Sequence, residues 1–285
     1  MKSRVFSLLL LVCLLFPACA GEPSKPAALP FAAAKENLVA LDYDAALRNL
    51  EKTIKAAPDE PDAKQAALIR VALLVSLADS SKQMAEVYGT GGKQPRAFTL
   101  QSQFNRMRND YFGMSRVRLM NAMELVMKQR DKLGEAAMPL NLAFPEFSGT
   151  EHAAMGRVRE GVWVPDADRY RAELECTRNA LARTMALLVG AGDNVHKGHE
   201  LFDKGGVQID PRTYIVELSA AFYKLSGIFG PKALDDARYY RTTLEVIRDN
   251  MDVALKLLAA KSDKDLETRS KKLKADCEKE LKKLG

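Results

Sequence analysis

Residues 41–58 read LDYDAALRNLEKTIKAAP, and this stretch decides the fold. Asp42 has the short side-chain oxygen that accepts a hydrogen bond from the free amides of a helix's first turn. Ala46, Leu47, Leu50, Thr53 and Ile54 recur three and four apart, so they share one face, while Arg48, Glu51, Lys52 and Lys55 populate the other. Pro58 closes the element, because proline lacks an amide hydrogen and disfavours helical geometry at Ala57. The pattern predicts a short, amphipathic, capped helix.

The order Asp42, Tyr43, Ala46, Leu50, Thr53, Pro58 resembles the second helix of a tetratricopeptide repeat. The preceding helix, 31–40, offers small Ala33 and Ala34 where that family packs helix on helix. Asn37 stands at its usual aromatic position, and Leu41 stands where it commonly has glycine. Leu218, Ala221, Phe222 and Tyr223 resemble the opening helix of a second, degenerate repeat. Its turn, 226–232, is longer than the family's, and its partner helix begins with Ala237, Tyr240 and Leu244. Repeats need roughly three or more stacked units to bury a continuous core, which implies further, more diverged pairs. The resemblance implies an all-α fold of stacked antiparallel helix pairs, as an α-solenoid or a helical bundle. It also implies a concave surface that holds a protein, peptide or small ligand without covalent chemistry. Asn37, Tyr43 and Arg48 are the nearest binding-surface candidates, although the family's equivalent of Tyr43 is usually structural.

The N-terminus begins MKSRVFSLLLLVCLLFPACAGEP: Lys2 and Arg4, an apolar run over 5–16, Pro17, then small residues. This is the layout of a secretory leader, and the run is too short for a membrane-spanning helix. Ala18-Cys19-Ala20 admits cleavage after residue 20 with release of a soluble chain. Cleavage after residue 18 with lipidation of Cys19 is the alternative. Both place the protein in the periplasm or at the outer membrane of a bacterial cell envelope, touching membrane only through a lipid anchor. The net charge of +6 comes from Lys and Arg interspersed with Asp and Glu. That is a mixed solvated surface, not a nucleic-acid footprint.

The leader carries Cys13 and Cys19, which leaves Cys176 and Cys277. In an oxidising compartment this pair is a disulfide candidate, with two separately buried thiols as the alternative. The spacing organises the rest as a linker over 21–28, an N-terminal helical region over 29–138, a C-terminal region over 139–260, and a Lys-rich capping helix over 261–285. Residues 63–88 read as a long helix broken by the glycines of 89–92. That glycine cluster lacks the strand and Gly-Lys-Ser/Thr ending of a phosphate loop. Residues 96–133 form the longest predicted helix, with Phe104, Met107, Tyr111, Val117, Met120, Met123 and Met127 among its apolar residues; helical spacing favours the methionines as core, with a binding surface as the alternative. The segment PLNLAFPEFSG, 139–149, marks the boundary, with Leu142, Phe144 and Phe147 packing onto a helix groove or rimming a ligand pocket. Trp163 reads as a packing anchor.

Asp193, His196, His199 and Asp203 are the sharpest chemical candidates, because helical spacing of three and four could set nitrogen and oxygen ligands on one face. Gly198 interrupts that face, and the order departs from HExxH. No cofactor motif is present, and nothing orders the abundant Ser, Cys and carboxylate residues into a catalytic set. The sequence therefore predicts a non-catalytic interaction scaffold. A periplasmic ligand-binding accessory of a solute transporter is the second reading, and a metal-dependent enzyme using His196 and His199 the third.

Overall fold

The computed structural model describes residues 28–134, 136–142, 153–203 and 206–284. The expected leader with Cys19, the linker as far as residue 27, and Phe144 and Phe147 lie outside them. The chain is all-α, with ten α-helices and two three-residue strands among the described residues. No helix there is long and apolar enough to cross a membrane.

Helices α1 (Ala28–Val39) and α2 (Tyr43–Ala56) form the first hairpin. Phe31, Ala34 and Leu38 of α1 face Tyr43, Ala46, Leu50 and Thr53 of α2, all buried. Asp42 caps α2 as its side chain implies, accepting from the Ala45 amide at 2.9 Å. Leu41 adopts φ 62°, the left-handed conformation that favours glycine and costs other residues about 1–2 kcal/mol. Substitution there should therefore follow backbone freedom more than size. Leu41→Val should cost about 2 kcal/mol because a β-branched residue tolerates positive φ worst. Leu41→Gly should cost less than about 1 kcal/mol although it deletes the whole side chain. Urea denaturation of the two variants checks the order, and the reverse order would refute the strain.

Helix α3 (Pro61–Gly91) follows, with proline at its first position and twenty of its 31 residues buried. Apolar residues all round a helix mean neighbours all round it. Helices α1, α2, α4 (Phe98–Gln129), α5 (Ala153–Arg159), α6 (Asp166–Leu188) and α8 (Pro211–Ser226) all pack on α3. The glycines of 89–92 do not break it early: the helix runs through Gly89 to Gly91, and Gly92 forms its C-cap.

Leu140 and Leu142, in the described part of the expected boundary, are buried in the core. Strand β1 (Met138–Leu140) pairs antiparallel with β2 (Val207–Ile209), Pro139 opposite Gln208. One apolar cluster runs from Phe31 to Cys277 across the expected boundary, with Leu142 buried in it. On α4 the apolar side is narrower than its spacing implies. Phe104, Tyr111 and Met123 are buried, but Val117 and Met127 are exposed.

Beyond β2, α8 pairs with α9 (Ala237–Ala260), and α10 (Lys264–Lys283) lies on both. Of Ala237, Tyr240, Leu244, Ile247, Met251, Ala254 and Leu258, whose three and four spacing predicts one continuous seam along α9, the last five are buried, Tyr240 is half-buried and Ala237 is exposed. Asp210 caps α8 and Asp263 caps α10. Cys176 and Cys277 are buried at different places in the core and are not bonded to each other, the second of the two alternatives for this pair. Cys176 on α6 lies 3.8 Å from the Ser80 carbonyl on α3. Cys277 on α10 is fully buried, and burial pushes its thiol up to about 12, so it stays protonated and acts as a small hydrophobe.

Candidate functional site

Three helices meet at the tip of the first hairpin and line a half-open cavity of about 110 Å³. Each contributes one stripe at helical spacing: Leu77, Ser80, Ser81 and Met84 from α3, Tyr111, Met114 and Arg118 from α4, and Tyr170, Glu173, Leu174 and Thr177 from α6. The turn and start of α2 add Leu41, Asp42, Tyr43 and Asp44. The strained turn and the Asp42 cap thus fix one wall of the cavity.

The floor is polar because α3 carries hydroxyls among its apolar residues. Ser80 and Thr177 share a buried hydrogen bond of 2.9 Å, and Ser76 donates to Thr184 at 3.0 Å one turn away. Ser115 donates to the Ala78 carbonyl at 2.7 Å. These bonds satisfy the hydroxyls and fix how α6 and α4 rest on α3. Arg118 donates through Nη1 to the Leu77 carbonyl at 3.2 Å and to Ser81 Oγ. Burial lowers the Arg118 pKa from its usual value, while the charges of Asp44 and Glu173 pull the other way.

On the opposite side Tyr111 donates its hydroxyl to Glu173 Oε1, and Arg169 Nε stands 3.7 Å from the same oxygen. Burial, then the Glu173 charge and hydrogen bond, push the Tyr111 phenol far up. Tyr43 is buried, and that burial raises its phenol despite the opposing charge of Arg178. Its hydroxyl has no hydrogen-bond partner among the described residues. Both phenols stay neutral at any ordinary pH, so they serve as donors and acceptors of hydrogen bonds, not as bases.

Of the three binding-surface candidates, only Tyr43 lines this cavity. Arg48 is exposed on α2, and Asn37 is half-buried, its carbonyl accepting from the Asp42 amide at 2.9 Å. Residues missed at the sequence level carried a readable signal: Ser76, Ser80 and Ser81 recur at helical spacing among the buried apolar residues of α3. Helical hydroxyls in such a setting need partners, and the partners mark the seam.

Of the four candidate metal ligands, Asp193, His196 and His199 have described side chains. Helix α7 (Val195–Asp203) begins after Asp193, whose carboxylate faces Lys224 at 3.1 Å and Arg183 at 3.7 Å. Two cations therefore already occupy that candidate ligand. His196 is exposed and His199 half-buried; the side chain of Asp203 lies outside the described part. Gly198 does not interrupt the helix but lets it approach α6: a Cβ there would lie 2.2 Å from the Ala182 carbonyl oxygen. Among the described residues no group of three His, Cys, Asp or Glu could hold a metal ion. No protein-family model, curated protein or solved structure matches this chain.

Proposed function

We propose that this protein is a non-catalytic, exported helical scaffold of the bacterial cell envelope, built on tetratricopeptide-like hairpins, which holds a partner protein or peptide at the tip of its first hairpin. The size of the cavity carries this reading. Sites that enclose a whole small molecule run to roughly 300–1,000 Å³. A cavity of about 110 Å³ is too small for that and suits one side chain of a partner. The exposed residues around it suit a macromolecular surface: Tyr170 at the mouth is 59% exposed, Met114 36% and nearby Val117 53%. The α1–α2 hairpin supports the repeat-like reading, since Asp42 caps, Tyr43, Ala46, Leu50 and Thr53 are buried, and the residue at the glycine position adopts positive φ.

Cells carrying a photo-cross-linking amino acid at position 170 should trap a partner in the envelope. The same group at exposed Lys256 on α9 should not trap it. Equal trapping from both positions, or none from position 170, overturns the proposal. A solute retained by the purified chain with no trapped partner would favour the transporter-accessory reading instead.

A further inference from the structure

We infer that the end of the molecule where α3 stops and α4 starts is a docking surface for an anionic lipid bilayer. None of its residues lines the cavity, and the inference goes beyond the scaffold reading. Two loops form this end, 92–97 before α4 and 160–165 before α6. Gly161 joins them: it has φ 83°, and a Cβ on it would lie 2.6 Å from Gln94 Cβ and 3.3 Å from Pro95 Cδ. Only glycine lets the loops touch in this way. Together they present three apolar side chains to solvent. Phe98, at the first position of α4, is 82% exposed, and Val162 and Trp163 are 40% and 38% exposed. Trp163 is anchored edge-on, its ring centroid 5.6 Å from that of Phe104 and 6.3 Å from that of Tyr88, so its free part is a fixed projection.

Charge is the second, independent observation. From 87 to 109 the chain carries Lys93, Arg96, Arg106 and Arg108 and no Asp or Glu. Arg157, in the last turn of α5, adds another cation. Lys93, Arg96 and Arg157 are exposed and pair with no carboxylate among the described residues. The acidic groups nearby are fewer: Glu160, Asp168 and Asp166, the last accepting from Arg169 at 2.8 Å. The N-terminus of α4 has no side-chain cap, so its first amides add partial positive charge beside Phe98. Unpaired cations around projecting rings match a bilayer surface, where phosphates attract the bases and aromatic side chains settle at headgroup level. An acidic peptide would satisfy the cations but offer the rings no apolar phase. A purely apolar partner would cover the cations and leave them unpaired. Contact with the bilayer is peripheral, since no described helix is long and apolar enough to cross it.

Trp163 is the single tryptophan of the chain, so its fluorescence reports on this end directly. The full chain is titrated with vesicles of equal parts phosphatidylglycerol and phosphatidylcholine, and with vesicles of phosphatidylcholine alone. Lipids brominated near the headgroup end of the acyl chain should quench Trp163 in the anionic vesicles and leave it unchanged in the neutral ones. Lys93→Gln, Arg96→Gln and Arg157→Gln combined should weaken the anionic binding at least about tenfold, since each base near such a surface is worth roughly fivefold. Phe98→Ser should weaken it severalfold, and circular dichroism should show every variant folded, because all four positions are exposed. Trp163 unquenched by anionic vesicles, or binding undiminished in the triple variant, overturns the inference. So does attachment to both kinds of vesicle with Trp163 unquenched, the mark of a leader or acyl anchor acting alone. An equal change in Trp163 emission with polyglutamate and no lipid would assign the surface to an acidic protein segment and overturn the bilayer.

Discussion

Gly91→Ala should destabilise the protein by about 3 kcal/mol, against the gain of about 1 kcal/mol that alanine normally brings to a helix interior. The added Cβ would lie 1.9 Å from the carbonyl oxygen of Val158 and 2.7 Å from Phe104 Cε1. A side chain could rotate away, but Val158 is backbone at the end of α5, so relief requires separating α5 from α3. Gly113→Ala on α4 is the internal control. Nothing lies within 4 Å of its Cβ, and it should stabilise by about 0.5–1 kcal/mol. Denaturant unfolding followed by circular dichroism gives both values. If Gly91→Ala were as stable as the parent, α5 would not sit on α3 as described.

Arg269→Met should cost about 2 kcal/mol, because it strands a buried carboxylate. Glu217 on α8 has a side chain only 7% exposed, and Arg269 Nη1 of α10 reaches its Oε1 at 2.7 Å. Methionine preserves the stem that covers the core and removes only the charge. Water reaches the arginine side, which is 42% exposed, so the loss should fall below that of a fully enclosed pair. Adding Glu217→Gln should restore at least half of the deficit, since a neutral amide needs no counter-ion. A single variant within about 0.5 kcal/mol of the parent would mean that this ion pair contributes nothing to holding α10.

The first hairpin was legible because its signals are local: a cap at Asp42, a face at Ala46 and Leu50, a stop at Pro58. The seam of α9 was legible for the same reason. What the sequence hid depends on distant residues. The glycines at 91 and 198 read as breaks because glycine weakens isolated helices, yet each admits a neighbouring backbone too close for any side chain. The segment around Pro139 read as a boundary because proline and glycine punctuate chains, yet β1 joins a strand almost seventy positions later. The cavity was only glimpsed through Tyr43, because its walls come from four helices. Ser80 and Thr177 bond across 97 positions, and neither stands out until the other is placed beside it.

The enclosure of α3 has a consequence for how the molecule comes apart. In a linear array each unit touches only its neighbours, so such a protein can fray from an end while its middle persists. Here the helix that opens the second pair is surrounded by segments from both halves of the chain, including α1 and α8. Peeling away one end exposes the axle on which the other end turns. Loss of either flank therefore uncovers α3 and weakens the other flank, while α10, which packs on α8 and α9, stands apart from that coupling.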